Sequence, residues 1–408
     1  MPSPRLNARV IAAMNTTPLA EALRYLGGRR GDEQHILWRG DVLGLALEKL
    51  AQPAREALGQ AAHETPGIAA HLTASPGRAA EGSVLLLAPR QALREMARNL
   101  AGPRFGQEET AAEIRQALDN YDRRHFEIRL GARRLAVGPR PALMGVVNVT
   151  PDSFSDPGRH FDRAEAIDHG CRLADEGAEI IDVGGESTRP GSLPVSEEEE
   201  LARVLPVIEG LASRAGAAIS IDTRHARVAR EAVRAGASLI NDVTGLQGDP
   251  DMAAVAAETG AGVALMHMLG EPKTMQENPR YDHLMADICR HLRRGIETAL
   301  AAGAAEDGLL VDPGIGFGKT LEHNLAILAG LGQLRTLGRP ILVGVSRKRF
   351  IGRLTGVETP AERTYGTAAA CALAVAAGAL VLRVHDVAPM RQALAVASAI
   401  AHAGEEAP

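Results

Sequence analysis

Three polar side chains that could hold a nitrogen-rich ring each follow a short apolar run of the sequence. They are Asp222, Asn241 and Asp312. Their side-chain oxygens accept hydrogen bonds, and a buried acceptor has to find a donor. Because the remaining walls of such a pocket would be apolar, we expect these residues to hold a flat heterocycle that presents a row of N–H groups.

A second set of residues carries the opposite charge, and it consists of Arg189, Arg347, Lys348, Arg383 and His385. Arginine grips phosphate oxygens with two parallel hydrogen bonds, and the last loops of a barrel often bind phosphate groups. We therefore expect a phosphate-type anion beside the heterocycle. The alternative for any single residue of this set is a salt bridge within the protein, but that reading is weaker for the set as a whole.

The elements that must position these residues are eight short apolar runs. Each run ends in a polar cluster, and a segment of helical length follows, which is typical of a (β/α)8 TIM barrel. The runs lie at residues 143–147, 180–183, 218–221, 239–240, 263–266, 309–311, 341–345 and 380–382. In a parallel barrel all strands end at the same rim, so the polar clusters are predicted to converge on one mouth.

The chain of 408 residues is long enough for two units. We predict a small α/β domain of unknown role over residues 1–120 and the barrel over residues 121–408. A β-hairpin over residues 126–137 is predicted to close the bottom of the barrel. This N-terminal domain is predicted to contain helices at 19–26, 42–58, 89–100 and 109–120 and strands at 36–38 and 84–87.

Composition argues against several classes of function. Aromatic residues make up 3% of the chain and the net charge is −5, so nucleic-acid binding is a poor default. Cys171, Cys289 and Cys371 fall in predicted helices without metal-ligand spacing, which suits a reducing cytoplasm. No signal peptide or membrane span is expected.

Three further patterns favour structural roles. The segment GFGKT at 316–320 ends like a nucleotide-binding P-loop, but the required first glycine is Pro313, so that interpretation fails. Ser196 and the glutamates at 197–200 are typical of a capped helix start. His160, His225 and His267 show no ordered zinc spacing, and of the histidines considered only His385 stands out as a candidate for function.

Five motifs together resemble dihydropteroate synthase. They are MGVVNVTPDSFSD at 144–156, DVGGESTRPG at 182–191, DPGIGFGK at 312–319, SRK at 346–348 and RVHD at 383–386. The resemblance begins near residue 126 and excludes residues 1–120. It implies a transferase of folate biosynthesis that joins 6-hydroxymethyl-7,8-dihydropterin diphosphate to p-aminobenzoate and releases diphosphate.

The resemblance also implies which residues bind each substrate. The pterin would be held by Asp222, Asn241, Asp312 and Lys348 and lined by Val243, Met266, Phe317 and Gly344. The diphosphate would be held by Asn148, Arg383 and His385, with Asn148 placing Mg2+. The p-aminobenzoate site would be framed by Thr188, Arg189, Pro190, Phe317, Ser346 and Lys348. One departure is Pro157-Gly158, where the family usually has two glycines, so proline restricts the first loop.

The implied chemistry is an SN1-like transfer in which the bond to diphosphate breaks before the amine has fully attacked. The residues expected to carry it are Asp222, Asp312, Lys348, Arg383 and His385. A homodimer and competition between sulfonamides and p-aminobenzoate are also expected. Two alternatives remain open: a pterin-binding methyltransferase that serves a corrinoid partner, and a folate-binding or assembly protein without catalysis.

Overall fold

A computed structural model describes residues 8–12, 42–72, 82–149, 163–186, 195–270 and 274–401. The chain divides into two compact units. One comprises Met1–Arg123, Tyr281–Arg290 and Ala329–Gly338, and the other comprises Arg124–Arg280, His291–Leu328 and Arg339–Pro408. The sequence analysis predicts the domain boundary at residue 120. It assigns neither Tyr281–Arg290 nor Ala329–Gly338 to the N-terminal domain.

Eight parallel strands of the second unit close into a barrel, with β7 next to both β8 and β14. The strands are β7 (Ala142–Asn148), β8 (Ile180–Gly184), β9 (Ala218–Asp222), β10 (Leu239–Asp242), β11 (Gly262–Met266), β12 (Leu309–Asp312), β13 (Ile341–Val343) and β14 (Ala379–Val384). Each coincides with one of the eight predicted runs, so the predicted TIM barrel is confirmed. The runs are buried nearly throughout, as expected of strands covered on both faces.

The helices that follow these strands vary in length. They are α4 (Arg163–Asp175), α5 (Glu197–Arg214), α6 (Ala226–Arg234), α7 (Met252–Thr259), α8 (Leu284–Ala302), α9 (Leu321–Ala329), α10 (Arg349–Thr355), α11 (Thr364–Ala376) and α12 (Val387–Ala401). Helix α5 begins as predicted, because the Ser196 hydroxyl accepts a hydrogen bond from the Glu199 amide at 3.3 Å. No helix among the described residues is both long and apolar enough to cross a membrane.

The predicted hairpin is present as β5 (Phe126–Leu130) and β6 (Arg133–Val137), paired antiparallel. Ile128, Leu130 and Val137 are buried in one cluster with the first residues of the barrel strands, including Ala142 and Ile180. The hairpin therefore closes the end of the barrel opposite the mouth, as predicted.

The first unit contains a four-stranded antiparallel sheet in the order β1-β2-β4-β3. Its strands are β1 (Arg9–Ala12), β2 (Val42–Leu47), β3 (Ala69–Leu72) and β4 (Val84–Pro89), and its helices are α1 (Gln52–Glu64), α2 (Arg90–Ala101) and α3 (Glu108–Asp122). Strand β4 and helices α2 and α3 match the predictions. The elements predicted at 19–26 and 36–38 lie outside the described residues.

The helix predicted over residues 42–58 is wrong. Val42–Leu47 forms an inner strand of the sheet, and the helix begins only at Gln52. The run VLGLAL is buried on both faces between β1 and β4, and Gly44 disfavours a helix there. The periodicity of this apolar run fits a helix or a strand, and its burial between two other strands determines that it forms a strand.

Candidate active site

The register of the barrel strands brings the predicted heterocycle ligands to one rim. Asn148 pairs with Gly184, Gly184 with Asp222, and Asp222 with Asn241. On the far side of the barrel Met266 pairs with Asp312. These polar groups therefore lie at or near the carboxyl ends of their strands, on one rim of the barrel.

Arg383 crosses this rim from β14 and forms two ion pairs. Its Nε donates to Asp182 Oδ2 at 2.6 Å and its Nη2 donates to Asp222 Oδ2 at 2.7 Å. Asp182 is fully buried within β8 and also accepts a hydrogen bond from Asn241 Nδ2 at 3.2 Å. The pKa of Arg383 is raised because the two aspartates outweigh the effect of burial. The guanidinium thus links β14 to β8 and β9, and its Nη1 is the nitrogen that these two ion pairs do not use.

Asp222 lies where its ionised form is disfavoured. Burial, with smaller contributions from the carboxylates of Asp182 and Glu186, raises its pKa to about 7 although Arg383 lowers it. A ligand that brings N–H donors or positive charge to this carboxylate would stabilise its ionised form. The residue is therefore suited to bind a nitrogen-rich ring on which cationic charge develops.

Asp312 lies at the end of β12 and is also buried. Its Oδ1 accepts a hydrogen bond from the Gly314 amide at 2.6 Å. Gly314 has φ +67°, and a Cβ there would lie 2.0 Å from the His267 carbonyl oxygen, so only glycine fits. Burial raises the pKa of Asp312, against the lowering effects of this amide and of Lys348.

Lys348 faces the same group of charges. Burial lowers its pKa to about 8, and Asp312 and Asp222 partly offset the effect. Its Nζ donates to the Ile315 carbonyl and lies 4.5 Å from the centre of the Phe317 ring. An ammonium group whose pKa lies this close to neutral pH can donate hydrogen bonds to a ligand and can also give up a proton.

The residues predicted to line the slot lie at or after the ends of four strands: Val243 follows β10, Met266 ends β11, Phe317 lies in the loop after β12, and Gly344 follows β13. Val243 and Met266 are buried, and Phe317 is half-buried. Gly344 lies beside Arg383, because a Cβ there would be 3.8 Å from Arg383 Cβ.

Lys319, which ends the motif at 312–319 but has no role in the sequence analysis, fixes the loop that carries Phe317. Its buried Nζ donates to the carbonyl oxygens of His267 and Phe317 and lies 3.0 Å from His267 Nδ1. Burial and the charge of Lys319 lower the pKa of His267 to about 2, so this imidazole is neutral. The lysine therefore ties the end of β11 to the loop after β12.

Two further basic residues of the predicted anion site, His385 and Arg347, have different partners. The His385 amide donates to Ser346 Oγ at 3.2 Å, and His385 Nδ1 lies 3.1 Å from the same oxygen, so β13 and β14 share this contact. Arg347, in contrast, pairs with Asp386 through two hydrogen bonds of 3.0 and 2.5 Å. Of the two, His385 stands beside a predicted substrate residue, whereas Arg347 is engaged in an ion pair beside the mouth.

Of the remaining predicted residues, the structure describes Asn148 but not the two loops that carry the others. Asn148 is half-buried at the end of β7. Thr188, Arg189 and Pro190 lie outside the described residues, as do Pro157-Gly158 and His160. Their assignments therefore stay predictions.

A second group of polar residues, which sequence reasoning did not predict, lies on the same rim. One ligand-type atom from each of Glu186, Glu200 and His225 lies within 4.8 Å of the other two. Burial raises the pKa of Glu200 to about 7, against the lowering effect of the nearby Thr223 hydroxyl. Glu186 also receives two hydrogen bonds from Arg224, at 3.1 and 3.2 Å.

Comparisons with known proteins identify the relatives of this fold and site. Residues 144–385 match the pterin binding enzyme family. Dihydropteroate synthase of Escherichia coli strain K12 is 48% identical over 265 residues, which are 65% of this chain and 93% of the relative. The Yersinia pestis dihydropteroate synthase, solved with a sulfonamide drug complex, is 48% identical with a TM-score of 0.64 and covers 68% of this chain and 100% of its own. The Xanthomonas albilineans enzyme in complex with 7,8-dihydropteroate is 44% identical with a TM-score of 0.61 and covers 69% and 100%.

Proposed function

Because the chain belongs to the dihydropteroate synthase family of pterin-binding transferases, we propose that its barrel joins 6-hydroxymethyl-7,8-dihydropterin diphosphate to p-aminobenzoate. The products are 7,8-dihydropteroate and diphosphate. The observation that carries this proposal is the convergence of Asp222, Asn241, Asp312, Lys348 and Arg383 on one rim of the closed barrel. These groups match the acceptors and the positive charge that the two halves of the pterin substrate require.

The pterin half is proposed to bind between Asp222 and Asp312. Both carboxyl groups have raised pKa values because they are buried, so each gains from a ligand that supplies N–H donors. Lys348 would donate to the ring's acceptors, and the slot between Met266 and Phe317 would cover its faces. A hydrogen bond to a charged group contributes about 1.5 to 3 kcal/mol, so a few such bonds suffice for specific binding.

The diphosphate half would lie toward Arg383, His385 and Asn148. The amide oxygen of Asn148 is a hard ligand of the kind that Mg2+ prefers, and phosphate oxygens usually complete such a site, so the residue fits this ion. Mg2+, when bound, supplies positive charge to the departing diphosphate. Ser346 holds the His385 ring through a contact of 3.1 Å and so orients it toward the same group.

The proposed reaction breaks the bond between the pterin methylene carbon and the diphosphate oxygen first. Asp222 and Asp312 stabilise the positive charge that spreads over the reduced pterin, while Arg383 and His385 stabilise the negative charge on the leaving group. The amine nitrogen of p-aminobenzoate then forms the new bond to that carbon and releases a proton to solvent. No dedicated base is needed, because an aromatic amine is largely neutral at pH 7.

The full-length chain provides the direct test. Incubation with the pterin diphosphate, p-aminobenzoate and Mg2+ is expected to yield a product with the mass of dihydropteroate, and omission of p-aminobenzoate is expected to abolish it. Failure to form this product in folded protein would contradict the proposal. Methyl transfer to a corrinoid instead would favour the methyltransferase alternative.

Sulfonamides are proposed to occupy the p-aminobenzoate site, which in this chain includes Ser346 and Lys348. They should raise the apparent KM for p-aminobenzoate without competing with the pterin diphosphate. Initial-rate measurements with each substrate varied in turn distinguish the two patterns. Inhibition that does not respond to p-aminobenzoate would refute this assignment.

We also propose that the chain forms a homodimer through helices α11 and α12. These helices pack against each other, yet Tyr365, Leu373, Val396 and Ile400 are 62 to 90% exposed on them. Large apolar side chains exposed together often mark an interface. Light scattering should report a dimer for the native chain and a monomer for Leu373→Glu. The control Leu325→Glu, on α9, should remain dimeric, and a monomeric native chain would refute the interface.

The cytoplasm is the proposed location. Cys171, Cys289 and Cys371 form no disulfide bonds with one another, and the last two are buried. Free cysteines persist most readily where thiols are kept reduced.

A further inference from the structure

The cluster of Glu186, Glu200 and His225 joins three separate elements at the rim of the barrel. Glu186 follows β8, Glu200 lies in the first turn of α5, and His225 immediately precedes α6. Their ligand-type atoms lie within 4.8 Å of one another. Because β8 and β9 are neighbours in the barrel, the fold itself brings these three side chains together.

Glu200 is buried in a way that calls for a partner. Its relative exposure is 0%, and neither carboxylate oxygen makes a well-formed hydrogen bond within the part of the chain that the structure describes. The buried Nε2 of His225 is in the same situation among those residues. Although the Thr223 hydroxyl is near enough to lower the pKa of Glu200, a buried carboxylate and a buried imidazole nitrogen without well-formed hydrogen bonds are costly, and a bound cation would stabilise both.

The backbone leaves room for Glu200 to reach this position. A Cβ at Gly185 would lie 2.7 Å from Val204 Cγ1 and 3.1 Å from Glu200 Cγ, so any other residue would force α5 away from the end of β8. Arg203 Nη1 donates to the Gly185 carbonyl at 2.8 Å and holds the helix in place. The approach of Glu200 to Glu186 is therefore built into the packing of α5.

We propose that Glu186, Glu200 and His225 form a binding site for a divalent transition-metal ion of the Zn2+ type. Two carboxylates and one imidazole are three of the four ligands that such an ion takes, and water would supply the fourth. This site is separate from the Asn148 position proposed for Mg2+, and it goes beyond the proposed synthase reaction. Its role would be to cross-link β8, α5 and α6 at the rim.

The geometry needs only small movements to bind such an ion. A point among three atoms that are 4.8 Å apart lies no more than about 2.8 Å from each, whereas Zn–O and Zn–N bonds are about 2.0 to 2.2 Å. Rotations of the side chains can close this gap. Glu186 can bind while it remains paired with Arg224, because each carboxylate oxygen has a second lone pair.

Metal binding to the untagged full-length chain tests the proposal. After treatment with a chelator, the protein is titrated with Zn2+ against a chromophoric competitor in millimolar Mg2+, and with Co2+ to record visible absorption. We expect one tight Zn2+ site per chain and the strong absorption of four-coordinate Co2+. Glu200→Gln and, on the partly exposed side of the site, His225→Gln should each weaken Zn2+ binding by about 100-fold or more, since loss of even an outer-shell partner costs up to that factor.

Two controls locate the ion. Glu198, in the same turn of α5, pairs instead with Arg227 at 2.6 Å, so Glu198→Gln should leave Zn2+ affinity nearly unchanged. Asn148→Ala should also leave it unchanged, whatever it does to catalysis. Absence of a tight site in Mg2+, unchanged affinity in folded Glu200→Gln and His225→Gln, or loss of the site in Asn148→Ala would overturn the proposal. None of these readouts depends on synthase activity, so the two proposals can fail independently.

Discussion

Replacement of Arg383 by methionine is expected to lower both stability and turnover, and the two effects can be separated. The side chain of Arg383 is 22% exposed, whereas its partners Asp182 and Asp222 are 0% and 10% exposed. Arg383→Met keeps most of the apolar stem but leaves two buried carboxylates without their cation. Breaking a buried ion pair from one side costs about 3 to 5 kcal/mol, so we expect a loss of about 3 kcal/mol in the free energy of unfolding.

A matched control is Arg347→Met. Arg347 also pairs with an aspartate near the rim, but its side chain and that of Asp386 are 29% and 23% exposed. Such a pair contributes at most about 1 kcal/mol, so the control should be clearly the more stable variant. Urea denaturation measures the free energy of unfolding of both variants. The values can be compared if both variants show the same dependence of that free energy on urea concentration.

Turnover should fall by about 100-fold or more in Arg383→Met, measured per folded molecule, because a preorganised donor to the departing diphosphate is lost. The double variant Asp182→Asn/Arg383→Met distinguishes this role from bracing, since it removes one of the stranded charges. It should regain stability without regaining turnover. Normal turnover in the single variant, or recovery of turnover together with stability in the double variant, would refute a leaving-group role for Arg383.

Three further predictions concern the slot itself. Asp312→Ala should weaken pterin binding at least about tenfold by calorimetry, since it removes charge-assisted hydrogen bonds, while the exposed Asp307→Ala should not. Asp222→Asn should gain stability relative to the native chain as pH rises from about 4 through about 7. Burial raises the pKa of Asp222 to about 7, so its ionisation lowers the stability of the native chain over that range. Parallel stability curves for the native and Asp222→Asn chains would contradict this. Lys319→Met should raise the KM for the pterin diphosphate at least about tenfold with a smaller change in kcat, and a loss confined to kcat would show that Lys319 does more than position the loop.

The barrel was predictable because its evidence is local. Each strand is a short apolar run followed by turn chemistry, and the eightfold alternation leaves few other folds. The predicted heterocycle ligands come from the same pattern, since Asp222 and Asp312 directly follow the apolar runs at 218–221 and 309–311 and end the strands β9 and β12. The run at 42–47 failed for the converse reason: its burial depends on β1 and β4, which are far away in the sequence.

Long-range ion pairing was not predictable. Nothing near Arg383 indicates that it reaches Asp182, 201 positions earlier in the chain, as well as Asp222. The sequence analysis gives Lys319 no role, although its segment is compared with a P-loop and belongs to the motif at 312–319. Its partners include the carbonyl of His267, which directly follows β11. Sequence patterns do not indicate which side chain will contact a backbone carbonyl.

The glutamates at 197–200 show that a readable signal can be missed. As four consecutive acids at a helix start they were interpreted together as favourable charge near the helix dipole. The buried face of α5 consists of Glu200, Val204, Val207, Ile208 and Leu211, whose spacing is that of one apolar stripe. Helical periodicity alone therefore places Glu200 inside, where its charge needs a partner that the other three glutamates do not need. The cluster with Glu186 and His225 follows from that one inward position.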